Sequence, residues 1–292
     1  MKRILVCTNP SRDPDLSYTK RAVDILRADG FSLALSFPFD TDKDASSLGI
    51  PLEPLERGLD KADCMLCLGG DGTILHVARF AARRHIPLVT VNLGHLGFIC
   101  ELDAEEFEQI RTLKENRYTV ENRMMLDVSV LRDGRCVCHR IALNEATFHR
   151  GAVSRVIGLR LSVNGSPLHE LRGDGLIVAT PTGSTGYSFS AGGPLMEPKA
   201  KAIIVTPICA HNTRTGSFVL LAEDEVAVDA VGKSRSNGFL CVDGGKPFAL
   251  REGDRVLMRC AKDELSLLRL TNRSFYSECG RKMLYGGYHY ER

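Results

Sequence analysis

The chain has 292 residues, 43% of them hydrophobic and 25% charged, with a formal net charge of +2. That length accommodates two domains with cores of their own, the near-neutral balance speaks against a dedicated nucleic-acid binder, and no apolar run approaches the roughly 18 to 20 residues of a membrane-spanning helix. Ten cysteines are scattered through mostly apolar runs, and Cys64 with Cys67 lacks a second pair at zinc-site spacing, so reduced core thiols of a cytoplasmic protein are expected.

In chain order, residues 3–8 read as a first buried strand. The basic then apolar start ends at Thr8-Asn9-Pro10, too short for a signal peptide. Residues 17–29 carry Tyr18, Ala22, Ile25 and Leu26 on one face and stop at Gly30, as a helix does. Strands are expected at 31–37, 64–68 and 87–92, helices at 73–84 and, opened by an Asp103/Glu106 capping box, through Phe107, Ile110 and Leu113. The polar, proline-containing stretch 41–58 reads as a surface loop. Alternation of this kind implies a parallel sheet with ligands beyond the carboxyl ends of its strands.

From about Arg117 the texture changes to short strand-like runs, at 125–130, 135–143, 156–163, 175–180, 202–206, 218–221, 225–231, 238–242 and 255–260. Turn signals such as Asp133-Gly134, Asn164-Gly165 and Asp243-Gly244 separate them, which predicts an all-β, sandwich-like second domain.

Three stretches carry chemistry. The first is Cys64-Met-Leu-Cys-Leu-Gly69-Gly70-Asp71-Gly72-Thr73, a buried strand running into a glycine-rich turn and then a helix. Such a turn offers backbone N–H groups at the positive end of a helix dipole, which suits phosphate. Asp71 is out of place there unless it holds a metal or accepts a proton from a hydroxyl, so the turn points to phosphoryl transfer. Its plain alternative is a tight turn with a solvated carboxylate. The second is Asn144-Glu145, an amide and a carboxylate able to read hydroxyls and an adenine edge, or simply two polar residues at a strand end. The third runs from Gly173 to Pro194, rich in glycine and hydroxyl side chains yet enclosing the apolar strand 176–179, and reads as a binding loop. His211, alone in Pro207-Ile-Cys-Ala-His211, is as well explained by a structural role.

Gly-Gly-Asp-Gly-Thr/Ser turns are shared by phosphofructokinases, diacylglycerol-type lipid kinases and NAD kinases. The remaining motifs discriminate. Asn92-Leu-Gly-His-Leu-Gly-Phe98, Asn144-Glu145 and the Thr180–Pro194 loop follow Gly69–Thr73 in the order of a bacterial NAD kinase, and the chain resembles that family over nearly its full length. The resemblance implies a Rossmann-like α/β domain over 1–116, a β-sandwich over 117–268, and a last segment, 269–292, returning to the first domain. It implies Asp71 as the catalytic residue, with Gly69, Gly70, Gly72 and Thr73 at the phosphates. Phe98, Asn144, Glu145, Asp174, Thr185, Gly186, Tyr187, Ser190, His211 and Asp243 would line the NAD site, together with Asp71 and Gly72, some donated by a neighbouring subunit. It further implies ATP or polyphosphate as donor, Mg²⁺ or another divalent cation, a homodimer or homotetramer, and NADP as product.

Three positions depart from the family pattern. Gly186 stands where alanine is usual, Cys209-Ala210-His211 lacks the usual proline, and Gly245 replaces a common glutamine. Two rival classes stay open on the sequence: a lipid kinase, and a non-catalytic NAD or NADP sensor. The aromatic stretch Tyr285-Gly-Gly-Tyr288-His-Tyr290 would pack on a neighbour or fray.

Overall fold

A computed structural model describes residues 1–94, 97–151, 156–211, 216–231 and 238–284. The aromatic stretch from Tyr285 onward, and His95 and Leu96 of the second glycine turn, lie outside the described residues. The chain divides into two compact units, Met1–Asn122 with Leu265–Arg292, and Arg123–Glu264.

The first unit is α/β. Strands β1 (Arg3–Thr8), β2 (Ser32–Ser36), β3 (Cys64–Gly69), β4 (Leu88–Asn92), β5 (Leu102–Asp103) and β6 (Thr119–Arg123) join a return strand, Leu265–Arg269, in one seven-stranded sheet. The order is β2-β1-β3-β4-return-β6, with β5 beside β4. The pairs β1–β2, β1–β3, β3–β4 and β4–return are parallel. Every residue of β3 and β4 is buried, as strands covered on both faces must be; their runs are apolar rather than alternating for that reason. Helix α1 (Ser17–Ala28) buries Ala22, Val23, Ile25 and Leu26. Its first turn is held by Asp13, whose Oδ2 accepts from the Thr19 N–H at 2.8 Å and the Thr19 hydroxyl at 2.6 Å.

Three local expectations need correction. Helix α3 spans Asp71–Arg83, not from Thr73, because extended Gly70 serves as its N-cap and brings Asp71 into the first turn. The segment Ala104–Leu113 keeps its capping box but winds as a 3₁₀ helix. The stretch expected as a surface loop contains a 3₁₀ turn, Ser46–Leu48, and the short helix α2 (Leu55–Leu59), since Ala45, Leu48 and Leu59 are buried. The first unit also extends through Asn122 and resumes at Leu265, because Thr119–Arg123 and the return strand are paired into its sheet.

A buried ion network fastens that return. Arg269 pairs with Glu101 at 3.0 Å and with Glu121 at 2.7 Å. The other Glu101 oxygen accepts from the Leu270 and Thr271 N–H groups at 2.8 and 2.7 Å. A carboxylate this deeply placed is tolerable because its lone pairs are filled.

The second unit is all-β. Its strands are β7 (Leu126–Arg132), β8 (Arg135–Ala142), β9 (Glu145–His149), β10 (Ile157–Val163), β11 (Ser166–Gly173), β12 (Gly175–Ala179), β13 (Ala202–Ile208), β14 (Phe218–Leu221), β15 (Val226–Val231), β16 (Phe239–Val242), β17 (Phe248–Ala249) and β18 (Arg255–Cys260). They form two six-stranded sheets, β11-β10-β15-β18-β7-β8 and β14-β13-β12-β9-β16-β17. Val128, Leu159 and Val256 from one sheet share a core with Phe148, Val178 and Leu240 from the other. Asp133-Gly134, Asn164-Gly165 and Asp243-Gly244 all have positive φ at both residues, the geometry of tight hairpin turns. Strands β9, which Glu145 opens rather than closing the preceding run, and β17 fall outside the expected runs, and so does β11. Its Pro167, His169 and mostly exposed face lack alternation, and it forms as the edge partner of β10 across the Asn164-Gly165 turn.

Candidate functional site

In the first unit, β1, β3 and β4 end on one edge of the sheet, and the turns that follow them build a cavity of about 390 Å³. Its walls are Asn9, Arg12, Phe39, Gly70, Asp71, Gly72, Thr73, Gly94 and Gly97. The glycine turn is packed from within. A Cβ on Gly69 would lie 2.5 Å from Thr73 Oγ1, and that same hydroxyl accepts from Asn9 Nδ2 at 3.0 Å. The Asp71 and Gly72 N–H groups at the start of α3 face an anion favourably, while the Thr73 N–H donates to the Gly70 carbonyl at 2.9 Å. Arg12 adds a fixed positive charge to the wall.

Asp71 is held by the second glycine turn. Its Oδ2 accepts from the Phe98 N–H at 2.9 Å, and its Oδ1 from the Ile99 N–H at 3.4 Å and the Cys100 thiol at 3.6 Å. Burial and the Asp71 charge push the Cys100 thiol well above its ordinary pKa, so it stays protonated and donates. The approach is close: a Cβ on Gly97 would sit 2.1 Å from Asp71 Oδ1. Behind the turn, Lys282 from the C-terminal segment donates to the Gly97 carbonyl, pairs with Glu278 at 3.1 Å and lies 5.2 Å above the Phe98 ring.

The second unit holds its own cluster. Asp243, in a left-handed turn after β16, accepts through Oδ2 from the Leu143 N–H at 2.6 Å and through Oδ1 from the Asn144 and Glu145 N–H groups at 2.8 and 3.0 Å. Its carboxylate thus fixes the Asn144-Glu145 backbone. Thr180 closes the other side: its N–H donates to the Asn144 carbonyl at 2.8 Å and its hydroxyl to the Leu143 carbonyl. Gly183 packs so tightly that a Cβ would be 2.3 Å from the Asn144 oxygen. Within this frame Asn144 Oδ1 and Glu145 Oε2 are buried with no hydrogen-bond partner among the described residues, which leaves them seeking a donor. Burial, and secondarily Asp243, raise the Glu145 pKa to about 7.

Gly186 lies beside the pair, its Cβ position 3.6 Å from Asn144 Nδ2 and 3.7 Å from Glu145 Oε2. Tyr187, half-exposed, stacks on His149 with ring centroids 5.8 Å apart. Asp174 pairs with Arg150 at 3.0 Å, and its charge helps raise the Tyr187 phenol, behind burial and Cys209. Thr185 donates to the Thr182 carbonyl at 3.2 Å. The Ser190 N–H donates to the Gly186 carbonyl at 3.4 Å. His211 is exposed, with its N–H on the Arg172 carbonyl at 2.8 Å, and no contact places it at Asn144-Glu145 among the described residues.

Asn9, Arg12, Cys100 and Lys282 were not anticipated. Asn9-Pro-Ser-Arg12, polar and directly after a buried strand on the ligand-bearing edge, is the signal that would have found the first two. Among the described residues, no group of three or more His, Cys, Asp or Glu side chains is arranged to hold a metal ion.

Comparison with known proteins agrees over both units. Residues 54–118 match the profile of the ATP-NAD kinase N-terminal domain and residues 143–270 that of the C-terminal domain. The chain is 37% identical over 279 residues to the NAD kinase of Acetivibrio thermocellus, covering 94% of this chain and 95% of that one. It is 36% identical to the NAD kinase of Agathobacter rectalis, covering 97% and 99%. Among solved structures it is similar in fold to yeast NADH kinase complexed with NADH, with a TM-score of 0.83 at 23% identity, covering 100% of this chain and 90% of that one. It is also similar to the NAD kinase of Archaeoglobus fulgidus in complex with ATP, with a TM-score of 0.71 at 24% identity, covering 97% and 98%.

Proposed function

The chain belongs to the NAD kinase family, and on that premise we propose how its own residues divide the work. Its reaction is the phosphorylation of NAD by ATP. The lipid-kinase and sensor alternatives give way, since the matches cover the C-terminal domain as well as the glycine turn.

The attacking group is the 2′-hydroxyl of the adenosine ribose, and NADP is the product. An alcohol is a poor nucleophile at neutral pH, and Asp71 accepts its proton as the bond to the γ-phosphorus forms and the bond to the β-γ bridging oxygen breaks. General-base assistance of this kind is worth about 10² to 10⁴ in rate. The N–H groups of Gly70 to Gly72 and the Arg12 guanidinium take the charge of the phosphates, with Thr73 closing the turn onto the Gly70 carbonyl. What carries the reading is the clamp on Asp71: two backbone N–H groups and a thiol fix a carboxylate in the wall of an anion-suited cavity, at the first turn of α3. A protein that merely bound phosphates would gain nothing from a carboxylate there.

Asn144 and Glu145 read the dinucleotide. Their orphaned oxygens need donors, and adenine and ribose supply N–H and O–H groups. Asp243 and Thr180 act through them, holding the backbone. Phe98, Asp174, Thr185, Gly186, Tyr187, Ser190 and His211 complete the NAD site in this reading. The divalent cation enters as part of the ATP substrate. The described residues offer a single carboxylate, Asp71, in the phosphate cavity rather than a ligand set, which suits Mg²⁺ held largely by phosphate oxygens and water. There it would neutralise charge on the transferring group.

Rossmann-like and sandwich-like describe the two units in this proposal. Association into a homodimer or homotetramer is supported by exposed Tyr187, Phe189 and Leu195 beside the binding loop, and a cytoplasmic location by ten cysteines that are all free. The reading is tested by NADP release from NAD, ATP and Mg²⁺, with inorganic polyphosphate as a second donor. NADP formation is expected with ATP; none with either donor would contradict the proposed chemistry.

A further inference from the structure

A second cavity, about 620 Å³, adjoins the phosphate cavity in the first unit, and Phe39 belongs to the wall of both. His76 and Phe80 line it from the half-buried face of α3, and Leu52 from the opposite side. The rings form a continuous bank: the Phe39 and His76 centroids are 4.5 Å apart, and those of His76 and Phe80 5.9 Å. Phe39 is 46% exposed and Leu52 55%, so the groove presents open apolar and aromatic surface.

The two cavities differ in charge. The phosphate cavity has Arg12 and the first turn of α3. Among the described residues the groove wall has no lysine or arginine and has the carboxylates of Asp40, Glu53 and Glu56, the second ion-paired with Arg3 and Lys61 and the third with Arg84. A ligand with an anionic end and a neutral aromatic end can therefore lie across Phe39 in only one sense.

We propose that the groove receives the purine base of the nucleoside triphosphate donor, stacked against Phe39, while its phosphates occupy the turn at Gly70 to Thr73. The inference rests on the phosphoryl-transfer reading given above. Both subsites are built on one rigid element: His76 and Phe80 follow Asp71 by five and nine residues on α3, a rise of roughly 7 and 13 Å, within reach of a nucleoside triphosphate. The segment bearing Phe39 packs on the same helix through the Phe39–His76 ring contact. Burial and Arg79 lower the His76 pKa, keeping its ring neutral and available for stacking. Carboxylates only accept hydrogen bonds, so Asp40, with no ion pair to it among the described residues, favours a base with an exocyclic amine, which adenine has.

Calorimetric titration of the full chain with ATP and with inorganic tripolyphosphate tests this. Wild type is expected to bind ATP the more tightly. Phe39→Ala should weaken ATP about tenfold, within the range for loss of one stacked base, and narrow the gap to tripolyphosphate. Leu52→Asp, at an exposed position outside the phosphate cavity, should do the same by placing a charge under the base. In turnover, the KM for ATP should rise and the KM for NAD should not. If both variants keep the wild-type ratio of ATP to tripolyphosphate affinity, the base lies elsewhere and the inference is overturned. A wild-type chain that makes no NADP from ATP would overturn the functional reading instead, so the two failures are distinguishable.

Discussion

Gly97 and Asp71 are in such close contact that a methyl group on the first would stand 2.1 Å from Oδ1 of the second. No carboxylate tolerates that, and Asp71 is also tied by the Phe98 N–H on its other oxygen. Gly97→Ala should therefore displace the carboxylate by a fraction of an ångström to an ångström. Misplacement on that scale costs about 10²-fold in rate. We expect kcat to fall by that order with NAD affinity kept, measured by steady-state kinetics and by calorimetry. An unchanged kcat would mean that the Asp71 position is not critical.

That contact also marks the limit of what the sequence discloses. The strand, the glycine turn and the aspartate were legible because a buried parallel strand is a continuous apolar run and Gly69-Gly70-Asp71-Gly72 follows it directly. The Asn144-Glu145 pair and the 180–194 loop were legible as motifs. The partners were not. Asn9 reaches Thr73 only because β1 lies beside β3, and Lys282 reaches Gly97 from 185 residues away. Asp243 was legible as a site residue, but not the three backbone amides, about 100 residues distant, that its oxygens hold. Contacts that depend on which strands are neighbours leave no periodic trace. Strand β11 escaped for a related reason: an exposed edge needs no alternation.

Glu145 makes stability depend on pH. Its pKa rises from the ordinary 4.5 to about 7 because burial, and then Asp243, disfavour its charged form. Between those values the folded chain keeps a proton that the unfolded chain has released. Stability from this group is therefore full below about pH 4.5, falls as pH rises toward 7 and is level above it. The difference is about 3 kcal/mol. Glu145→Gln should remove that decline from a plot of melting temperature against pH in the absence of NAD. Parallel curves for the two proteins would contradict the assignment.

Gly186 has a negative φ of −98°, outside the left-handed region that favours glycine, and its Cβ position has neighbours no nearer than 3.4 Å. Gly186→Ala should stabilise the chain by about 0.4–1 kcal/mol through the unfolded state, read as a higher denaturation midpoint at unchanged slope. A destabilised variant would show that the loop needs conformations closed to alanine.

The return strand depends on Glu101, which binds Arg269 and the backbone of Leu270 and Thr271. Glu101→Ala leaves a buried guanidinium with Glu121 as its remaining carboxylate and two amides unpaired. Breaking such a network costs about 3–5 kcal/mol. The expected result is a lowered melting temperature and proteolysis beginning in the C-terminal segment. Wild-type resistance to protease would show that the strand is held by apolar packing alone.

The proposed mechanism turns on Asp71 as the proton acceptor. Asp71→Asn keeps an oxygen for the Phe98 N–H and removes the basic group, so the turn should stay folded. The decisive measurement is single-turnover formation of NADP by this variant beside NAD binding by calorimetry. We predict NAD affinity close to wild type and a chemical step slowed by about 10² to 10⁴. NADP formation at a near wild-type rate would show that another group accepts the proton.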